Sequence, residues 1–127
     1  MKMIRAIIRI VKINDTKTAL AAIDLPSFTV SGKVEGRGRG KGFGPRYREI
    51  VSNPETRATL IEMGVAPRLK TKRMINLVVT DDKVDIAVQT IINANKTGNS
   101  GDGKIFVLPI ADAIQVRTGD AGDKVLD

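Results

Sequence analysis

The sequence contains no cysteine, histidine or tryptophan, and only one tyrosine and three phenylalanines among its 127 residues. Without cysteine there can be no disulfide framework, thiolate zinc site, iron–sulfur cluster or cysteine nucleophile. Without histidine the chain lacks the commonest general base and the commonest metal ligand. Most catalytic and metal-dependent functions are therefore excluded, and a binding protein is favoured over an enzyme.

Long hydrophobic runs are also missing, because no segment approaches the roughly 20 apolar residues that a membrane span needs. Arg5 and Arg9 interrupt the apolar N-terminal stretch, and no small-residue cleavage site of a signal peptide follows it. With 42% hydrophobic residues, the chain is long enough for one core and too short for two domains of ordinary size. We expect one cytoplasmic domain over residues 1–127, without membrane insertion.

The net charge of +7 is confined to one segment of the chain. Residues 33–73 hold eleven basic and four acidic side chains, whereas the rest of the chain holds ten of each sign. A field concentrated in this way favours an acidic partner, a nucleotide or a nucleic acid, and a basic loop that only aids solubility is the alternative. Base-stacking aromatics are nearly absent from the basic segment, which holds only Phe43 and Tyr47, so nucleic acid is the less favoured partner.

Hydrophobic patterns predict four strands and two principal helices. Asn14 or Asp15 is expected to cap the first helix, and Pro26 to stop it. The second helix is expected to be capped at Thr80 and to carry an apolar face between residues 84 and 92. The predicted strands cover residues 2–13, 28–35, 74–79 and 105–110.

This order of elements predicts a ferredoxin-like βαββαβ fold of the α+β class, with an antiparallel four-stranded sheet and both helices on one face. With few aromatic residues and no third helix, another copy of the chain is expected to cover the other face. A long loop over residues 36–73 separates strands two and three. Asn53 and Pro54 predict the start of a short helix within this loop, and Gly64 its end.

The glycine-rich segment from Thr97 to Lys104 contains G-x-x-x-x-G-K, most of the phosphate-loop pattern. Ile105 stands where a magnesium-binding Ser or Thr belongs, and the segment leaves a helix and enters a strand, which reverses the usual order. Its glycines still expose successive backbone N–H groups as an anion nest, and Lys104 adds a positive charge. We therefore expect anion binding without hydrolysis. The alternative is a glycine-capped helix end with a tight turn.

Several segments strongly resemble the PII signal-transduction proteins over about residues 1–120. The most specific match is the block T-G-x-x-G-D-G-K-I-F-V that starts at Thr97. The supporting segments are Ala6-Ile7-Ile8, Thr29-Val30 and Arg117-Thr118-Gly119. Four further segments are more similar to the nitrogenase-linked NifI-type subgroup, especially the second of its two paralogues. These are Leu25-Pro26-Ser27-Phe28-Thr29, Gly36-Arg37-Gly38, Asn95-Lys96-Thr97-Gly98-Asn99 and Leu108-Pro109.

The resemblance implies a trimer that holds ATP or ADP in each cleft between subunits and contacts a target protein through a long T-loop, here about residues 36–73. By position, Thr29 would meet the adenine, and Lys72 would pair with a carboxylate of 2-oxoglutarate. Arg46, Tyr47 and Arg48 belong to the loop that would contact the target. The residues that would line the phosphates are Gly38, Arg39, Gly101, Asp102, Gly103, Lys104 and Arg117.

Two positions depart from the family pattern. Gln115 stands where the first of two arginines is expected, which removes one positive charge from the phosphate side. Gly40 replaces the glutamine that in many PII proteins ligates magnesium beside 2-oxoglutarate. This chain alone is therefore expected to supply an incomplete site for magnesium and 2-oxoglutarate. Tyr47 does not align with the tyrosine that some PII proteins have modified.

The resemblance implies a regulatory protein, either a homotrimer or a hetero-oligomer with a PII paralogue. It would sense ATP or ADP, and 2-oxoglutarate together with the paralogue, and would inhibit dinitrogenase when nitrogen is plentiful. One alternative is a PII protein that regulates an ammonium transporter or a nitrogen-assimilation enzyme, and another is a basic RNA-binding module. No catalytic residue and no protein-held metal site is predicted.

Overall fold

The computed structural model describes residues 1–36, 52–55 and 69–126. The chain divides into two compact units, Met1–Val34 with Thr71–Asp127 and the intervening Glu35–Lys70. The principal elements are β1 (Lys2–Ile8), α1 (Ile13–Ala22), β2 (Thr29–Gly36), β3 (Lys70–Val79), α2 (Val84–Asn95) and β4 (Lys104–Pro109).

The four strands form one sheet in the order β2-β3-β1-β4. The central strand β1 runs antiparallel to both β3 and β4, and Ala6 lies opposite Ile75 on one side and Ile105 on the other. This order and the two intervening helices confirm the predicted ferredoxin-like βαββαβ fold. The strands β2 and β4 are the two edges of the sheet.

The core lies between the sheet and the two helices. Along β1 the residues Ile4, Ala6 and Ile8 are buried, whereas the alternate residues Met3 and Arg5 are only half-buried. This period of two sends one set of side chains to the helices and the other to the opposite face. Fully burying an aliphatic side chain contributes about 1.5–3 kcal/mol. The other buried apolar residues are Leu20, Leu25, Ile75, Leu77, Val79, Ala87 and Ile91.

A buried polar link joins the two helices. Asn95, the last residue of α2, donates from Nδ2 to Thr16 Oγ1 and to the Ile91 carbonyl, at 2.9 Å in both cases. Thr16 in turn donates to the Lys12 carbonyl at 2.8 Å. Because both side chains are at least 96% buried, these bonds fix the end of α2 against α1. The glycine-rich segment therefore starts from a rigid support.

The structure corrects the prediction of a first strand over residues 2–13. The strand ends at Ile8, and a short 3₁₀ turn, Ile10–Lys12, leads directly into α1 at Ile13. Val11, which the sequence pattern assigned to the strand, is 80% exposed. A run of isoleucine and valine fits a strand and a helix turn equally well by hydrophobicity, so periodicity could not locate the boundary.

The predicted cap at Asn14 or Asp15 is wrong because both residues lie inside α1, whereas Thr80 occupies the N-cap position of the 3₁₀ turn Asp81–Lys83 that leads into α2, without a side-chain capping bond. Each helix is preceded by a 3₁₀ turn, and the N-cap positions of α1 and α2 are Lys12 and Lys83, neither of which makes a side-chain capping bond. Because each helix continues from a 3₁₀ turn, the chain is already turning before the first α-helical residue, and no capping side chain is present at that residue's predecessor.

The remaining boundaries differ in smaller ways. The helix α1 ends at Ala22, four residues before Pro26, and β2 and β4 are each displaced by one residue from their predicted ranges. The strand β3 begins at Lys70, so the end of the predicted loop up to residue 73 belongs to the sheet. No helix among the described residues is long and apolar enough to cross a membrane.

Of the short helix predicted within the loop, the structure describes only the start. Asn53 Oδ1 accepts a hydrogen bond from the Glu55 backbone N–H at 3.0 Å, which is the geometry of a side-chain N-cap with Pro54 at the first helical position. The rest of that predicted helix, up to Gly64, lies outside the described residues.

Candidate ligand-binding site

The glycine-rich turn between α2 and β4 contains three glycines with positive φ: Gly98 at 85°, Gly101 at 96° and Gly103 at 109°. This backbone geometry strongly favours glycine over other residues. At Gly103 the requirement is also steric, because a Cβ there would collide with the backbone carbonyl of Ile7. The turn is therefore packed directly against the end of β1, and it leads into β4 as predicted.

Asp102 holds this turn closed. Its carboxylate accepts hydrogen bonds from the backbone N–H groups of Thr97 and Gly98, at 2.8 and 2.9 Å, and from the Thr97 hydroxyl at 2.5 Å. Arg9 Nη1 adds a charged contact at 2.6 Å. The Thr97 hydroxyl first, and then the Thr97 backbone and Arg9, hold the pKa of the Asp102 carboxyl well below its usual range. Asp102 thus organises the turn with its side chain.

Arg9 and one further cation, Lys72, donate hydrogen bonds to carbonyl oxygens of the turn. Arg9 Nη2 donates to the Ser100 carbonyl at 3.0 Å, and Lys72 Nζ donates to the Gly101 carbonyl at 2.7 Å. Lys104 lies at the exit of the turn and is exposed. These carbonyls are neutral, although Arg9 also pairs with the Asp102 carboxylate, and an anionic ligand forms stronger hydrogen bonds with such cations than a carbonyl does. The turn therefore presents a concentration of positive charge suited to an anion.

Arg9 was not among the residues singled out from the sequence. The incorrect extension of β1 placed it inside a strand as an ordinary alternating polar residue. In the structure it lies immediately after β1, at the start of the 3₁₀ turn, where its side chain reaches Asp102. A charged residue at the end of a strand beside a glycine-rich turn is the signal that could have identified it.

A separate cleft of about 460 Å³ lies beside Thr29, at the start of β2. Its volume falls within the range of small-molecule sites, and it combines apolar walls with the polar side chains of Thr29 and Asn76. Its lining residues are Met3, Pro26, Ser27, Phe28, Thr29, Asn76, Leu77, Val78 and Leu126. None of the residues that line it belongs to the glycine-rich turn.

The C-terminal segment contains the predicted Gln115 and Arg117. A bridge between Ile114 and Ala121 closes a turn in which Gln115 N–H donates to the Asp120 carbonyl at 2.8 Å. The Gln115 side-chain oxygen accepts a hydrogen bond from Thr118 Oγ1 at 2.9 Å. Arg117 is exposed. Gln115 is thus tied into the turn, whereas Arg117 is accessible to solvent.

The described structure brings some of the predicted residues together and leaves others apart. Gly101, Asp102, Gly103 and Lys104 form one turn with Lys72 against it, but Thr29 lies in the cleft at β2, the opposite edge strand from β4. Within residues 1–36, 52–55 and 69–126 no cluster of three or more potential metal-ligating side chains occurs. The predicted residues Gly38, Arg39, Gly40, Arg46, Tyr47 and Arg48 lie outside the described residues.

Comparison with protein-family models matches residues 1–120 to the family described as nitrogen regulatory protein P-II. The chain belongs to the P-II family. The resemblance to PII proteins deduced from the glycine-rich block is therefore confirmed. The family consists of regulatory proteins, which agrees with the expectation of a binding protein rather than an enzyme.

Similar proteins refine the placement within the family. The chain is 44% identical to the "Nitrogen fixation nifHD region GlnB-like protein 2" of Methanobacterium ivanovii, with 99% of each chain covered. It is 39% identical to "Nitrogen regulatory protein P-II 1" of Escherichia coli K12, covering 99% of this chain and all of that protein. The predicted likeness to the second nitrogenase-linked paralogue is thus also confirmed.

A solved structure shows the same fold. The chain resembles the crystal structure of Arabidopsis thaliana PII bound to citrate, with a TM-score of 0.70, 32% sequence identity, and coverage of 97% of this chain and 86% of that chain. This similarity extends the confirmation of the ferredoxin-like fold to a structure determined for another member of the family.

Proposed function

We propose that this P-II protein binds ATP or ADP at a site shared between two copies of the chain, and that it regulates nitrogenase through contact of its basic loop with the target. The observation that carries this proposal is the placement of the two predicted parts of the nucleotide site. The Thr29 cleft lies at the start of β2 and the glycine-rich turn leads into β4, and these two strands are the opposite edges of one sheet.

The glycine-rich turn is suited to the phosphates. Gly101 and Gly103 carry no side chain over their backbone N–H groups, as in an anion nest, whereas the Gly98 N–H is bonded to Asp102, which fixes the turn so that little ordering is needed when a ligand binds. Lys104 supplies a charge at the exit of the turn. In the family pattern Arg117 supplies a second positive charge to the phosphates. Gln115, which stands in place of an arginine, supplies none.

The Thr29 cleft is suited to the base. It offers Phe28 and Met3 as apolar walls and Thr29 as a polar group at its edge. Within one chain this cleft and the phosphate turn are not neighbours, because β3 and β1 lie between the two edge strands. A second copy that presents its turn to the cleft of the first completes the site.

Such a contact joins different surfaces of two copies, and it forms a closed ring if the rotation between copies closes. The face of the sheet opposite the helices supplies the area that would be covered. On that face Phe106 of β4 is 48% exposed, and Val116 in the C-terminal segment is 99% exposed. A trimer, either of this chain alone or with a PII paralogue, accounts for both the incomplete site and the exposed apolar residues.

A small carboxylate, 2-oxoglutarate by the family pattern, is proposed to bind beside the turn. Lys72 and Arg9 each donate there to a carbonyl that a carboxylate would outcompete. The Arabidopsis relative is described as bound to citrate, another small carboxylate. Because Gly40 supplies no side chain to ligate magnesium, the paralogue is proposed to contribute to this site, with magnesium if it is present.

The nitrogenase target rests on relatives named for the nifHD region. We propose that the protein acts in the cytoplasm on the dinitrogenase component, through loop residues that include Arg46, Tyr47 and Arg48. A general P-II role, on an ammonium transporter or a nitrogen-assimilation enzyme, is the second candidate, because general P-II proteins are almost as similar at 39–40% identity.

The nucleotide proposal is tested by calorimetric titration of ATP into the wild type and into Lys104→Ala, with Lys17→Ala on the exposed side of α1 as a control for lost charge. Loss of a charge-assisted contact worth about 1.5–3 kcal/mol should weaken ATP binding by about tenfold or more. Unchanged affinity in Lys104→Ala would show that this turn does not hold the phosphates. For the target, a variant that lacks residues 41–67, and so retains Gly38 and Arg39, should keep ATP binding and lose capture of dinitrogenase.

A further inference from the structure

We infer that Arg5 pairs with a carboxylate of the chain that covers the open face of the sheet, and that the preferred covering chain therefore differs from this one. The open face is the side of β1, β3 and β4 that points away from the helices. Arg5 is the residue that decides which chain covers it best. This inference rests on the oligomer of the proposed function and names the chemistry of the partner surface.

The strand register defines the residues of the open face. Directly opposed residues of an antiparallel sheet share a face, and Met3, Arg5 and Ile7 alternate with the buried residues of β1 that point to the helices. Across β3, β1 and β4 the open face therefore consists of three rows. The rows are Val78, Met3 and Leu108, then Asn76, Arg5 and Phe106, and then Met74, Ile7 and Lys104. Arg5 thus lies at the centre of a face that is mainly apolar.

The apolar residues of the open face indicate that another chain covers it. Contiguous apolar patches of more than a few hundred Å² are rare on monomeric proteins and mark interaction sites. Phe106, beside Arg5 in the middle row, is 48% exposed. Because Arg5 lies between apolar rows, a chain that covers this face also removes water from the guanidinium.

Arg5 lacks a carboxylate partner within its own chain. Its Nε donates to Asn76 Oδ1 at 2.7 Å, and Nη2 lies 3.9 Å from the sulfur of Met3, a weak acceptor. Among the described residues it has no further hydrogen-bond partner and no ion pair. Burial of a guanidinium without an opposite charge is costly, so the favoured covering surface supplies a carboxylate.

The open face of a second identical copy does not supply this carboxylate. Its three rows contain no Asp or Glu. In a ring that turns this face of each copy towards a common axis, the central Arg5 side chains approach one another, and like charges in a contact oppose assembly. A related chain with Asp or Glu in the middle row replaces the repulsion by an ion pair. Assembly with such a chain is therefore favoured over assembly of identical copies.

The first test uses this chain as its own partner. Arg5→Glu places a carboxylate in the middle row, so joint unfolding and refolding with the wild type should give mixed oligomers in excess of random mixing, as counted by native mass spectrometry. The matched control Lys17→Glu, which reverses an exposed charge on α1, should mix with the wild type at random. Random mixing of a folded Arg5→Glu variant with the wild type would overturn the inference.

A second variant tests the cost of Arg5 in an oligomer of identical copies. Arg5→Met, unlike Lys17→Met, should lower the dissociation constant of that oligomer by about tenfold or more in analytical ultracentrifugation. Unchanged or weaker assembly of Arg5→Met contradicts the inference. Inorganic phosphate that tightens assembly of the wild type but not of Arg5→Met also contradicts it, because a bound anion then takes the place of the partner's carboxylate.

The proposed function and the present inference fail on different results. If neither the wild type nor its mixture with Arg5→Glu forms oligomers, both fail, because no site between copies exists. If the wild type forms oligomers that bind no ATP, the proposed nucleotide site fails and the role of Arg5 stands. If the oligomers bind ATP and mix at random, only the present inference fails.

Discussion

Replacing Gly103 by alanine should destabilise the protein more than replacing Gly98, although both glycines have positive φ. At Gly98, with φ of 85° and open space around the missing Cβ, alanine pays only the backbone strain, about 1–2 kcal/mol. At Gly103, with φ of 109°, the new Cβ also collides with the carbonyl of Ile7. Ile7 is paired with Lys104 between β1 and β4, so relief of the collision must disturb that pairing.

We therefore expect a loss of about 3 kcal/mol or more in the free energy of unfolding for Gly103→Ala, and a smaller loss for Gly98→Ala. Urea unfolding of both variants and the wild type at one protein concentration measures the difference, since oligomer stability depends on concentration. ATP titration of the Gly103 variant should also show weakened binding, because the turn that carries the N–H groups is displaced. Equal losses for the two variants would refute the close approach of the turn to β1.

Two further predictions concern the supports of the turn. Thr16→Val should lower the free energy of unfolding by about 1–3 kcal/mol, because Asn95 Nδ2 loses a buried acceptor. The control Thr18→Val, at an exposed position, should change it by less than about 0.5 kcal/mol. Similar losses for the two variants in urea unfolding would contradict this prediction. Asp102→Asn should destabilise the protein above pH 4, and the difference from wild type should shrink as the pH falls below 3.8, the ordinary pKa of this carboxyl. The folded state holds the ionised carboxyl more strongly than the unfolded state does. This contribution to stability is therefore complete above 3.8 and is lost as the pH falls towards the lowered pKa of the folded state. A difference that grows in acid would be inconsistent with the hydrogen bonds to Asp102.

The fold could be predicted from the sequence because its signals are local and repeated. The alternation in β1, the apolar face of α2 and the glycines before β4 each specify an element, and their order leaves few topologies. The element boundaries were less accessible. The 3₁₀ turn at Ile10–Lys12 follows a run of apolar residues that carries no stop signal, so the end of β1 and the start of α1 were both misplaced.

The candidate site was predictable in part. The glycine-rich block identified the turn and Lys104, but the contact of Arg9 with Asp102 joins residues far apart in the sequence, and neither segment alone predicts it. Asp102 was expected among the phosphate-lining residues. Its side chain is instead bonded to Thr97, Gly98 and Arg9, a role that only the closed geometry of the turn reveals.

The central claim, that the base and phosphate parts of one nucleotide site come from two copies of the chain, is tested most directly with mixed oligomers. Thr29→Trp fills the cleft, and Lys104→Ala weakens the turn, so each variant alone should bind ATP poorly. After the two variants are unfolded and refolded together, some interfaces pair an intact cleft with an intact turn. Calorimetry should then recover a fraction of sites with wild-type ATP affinity. If mixing into oligomers of normal size restores no such sites, the nucleotide does not bind across the interface between copies.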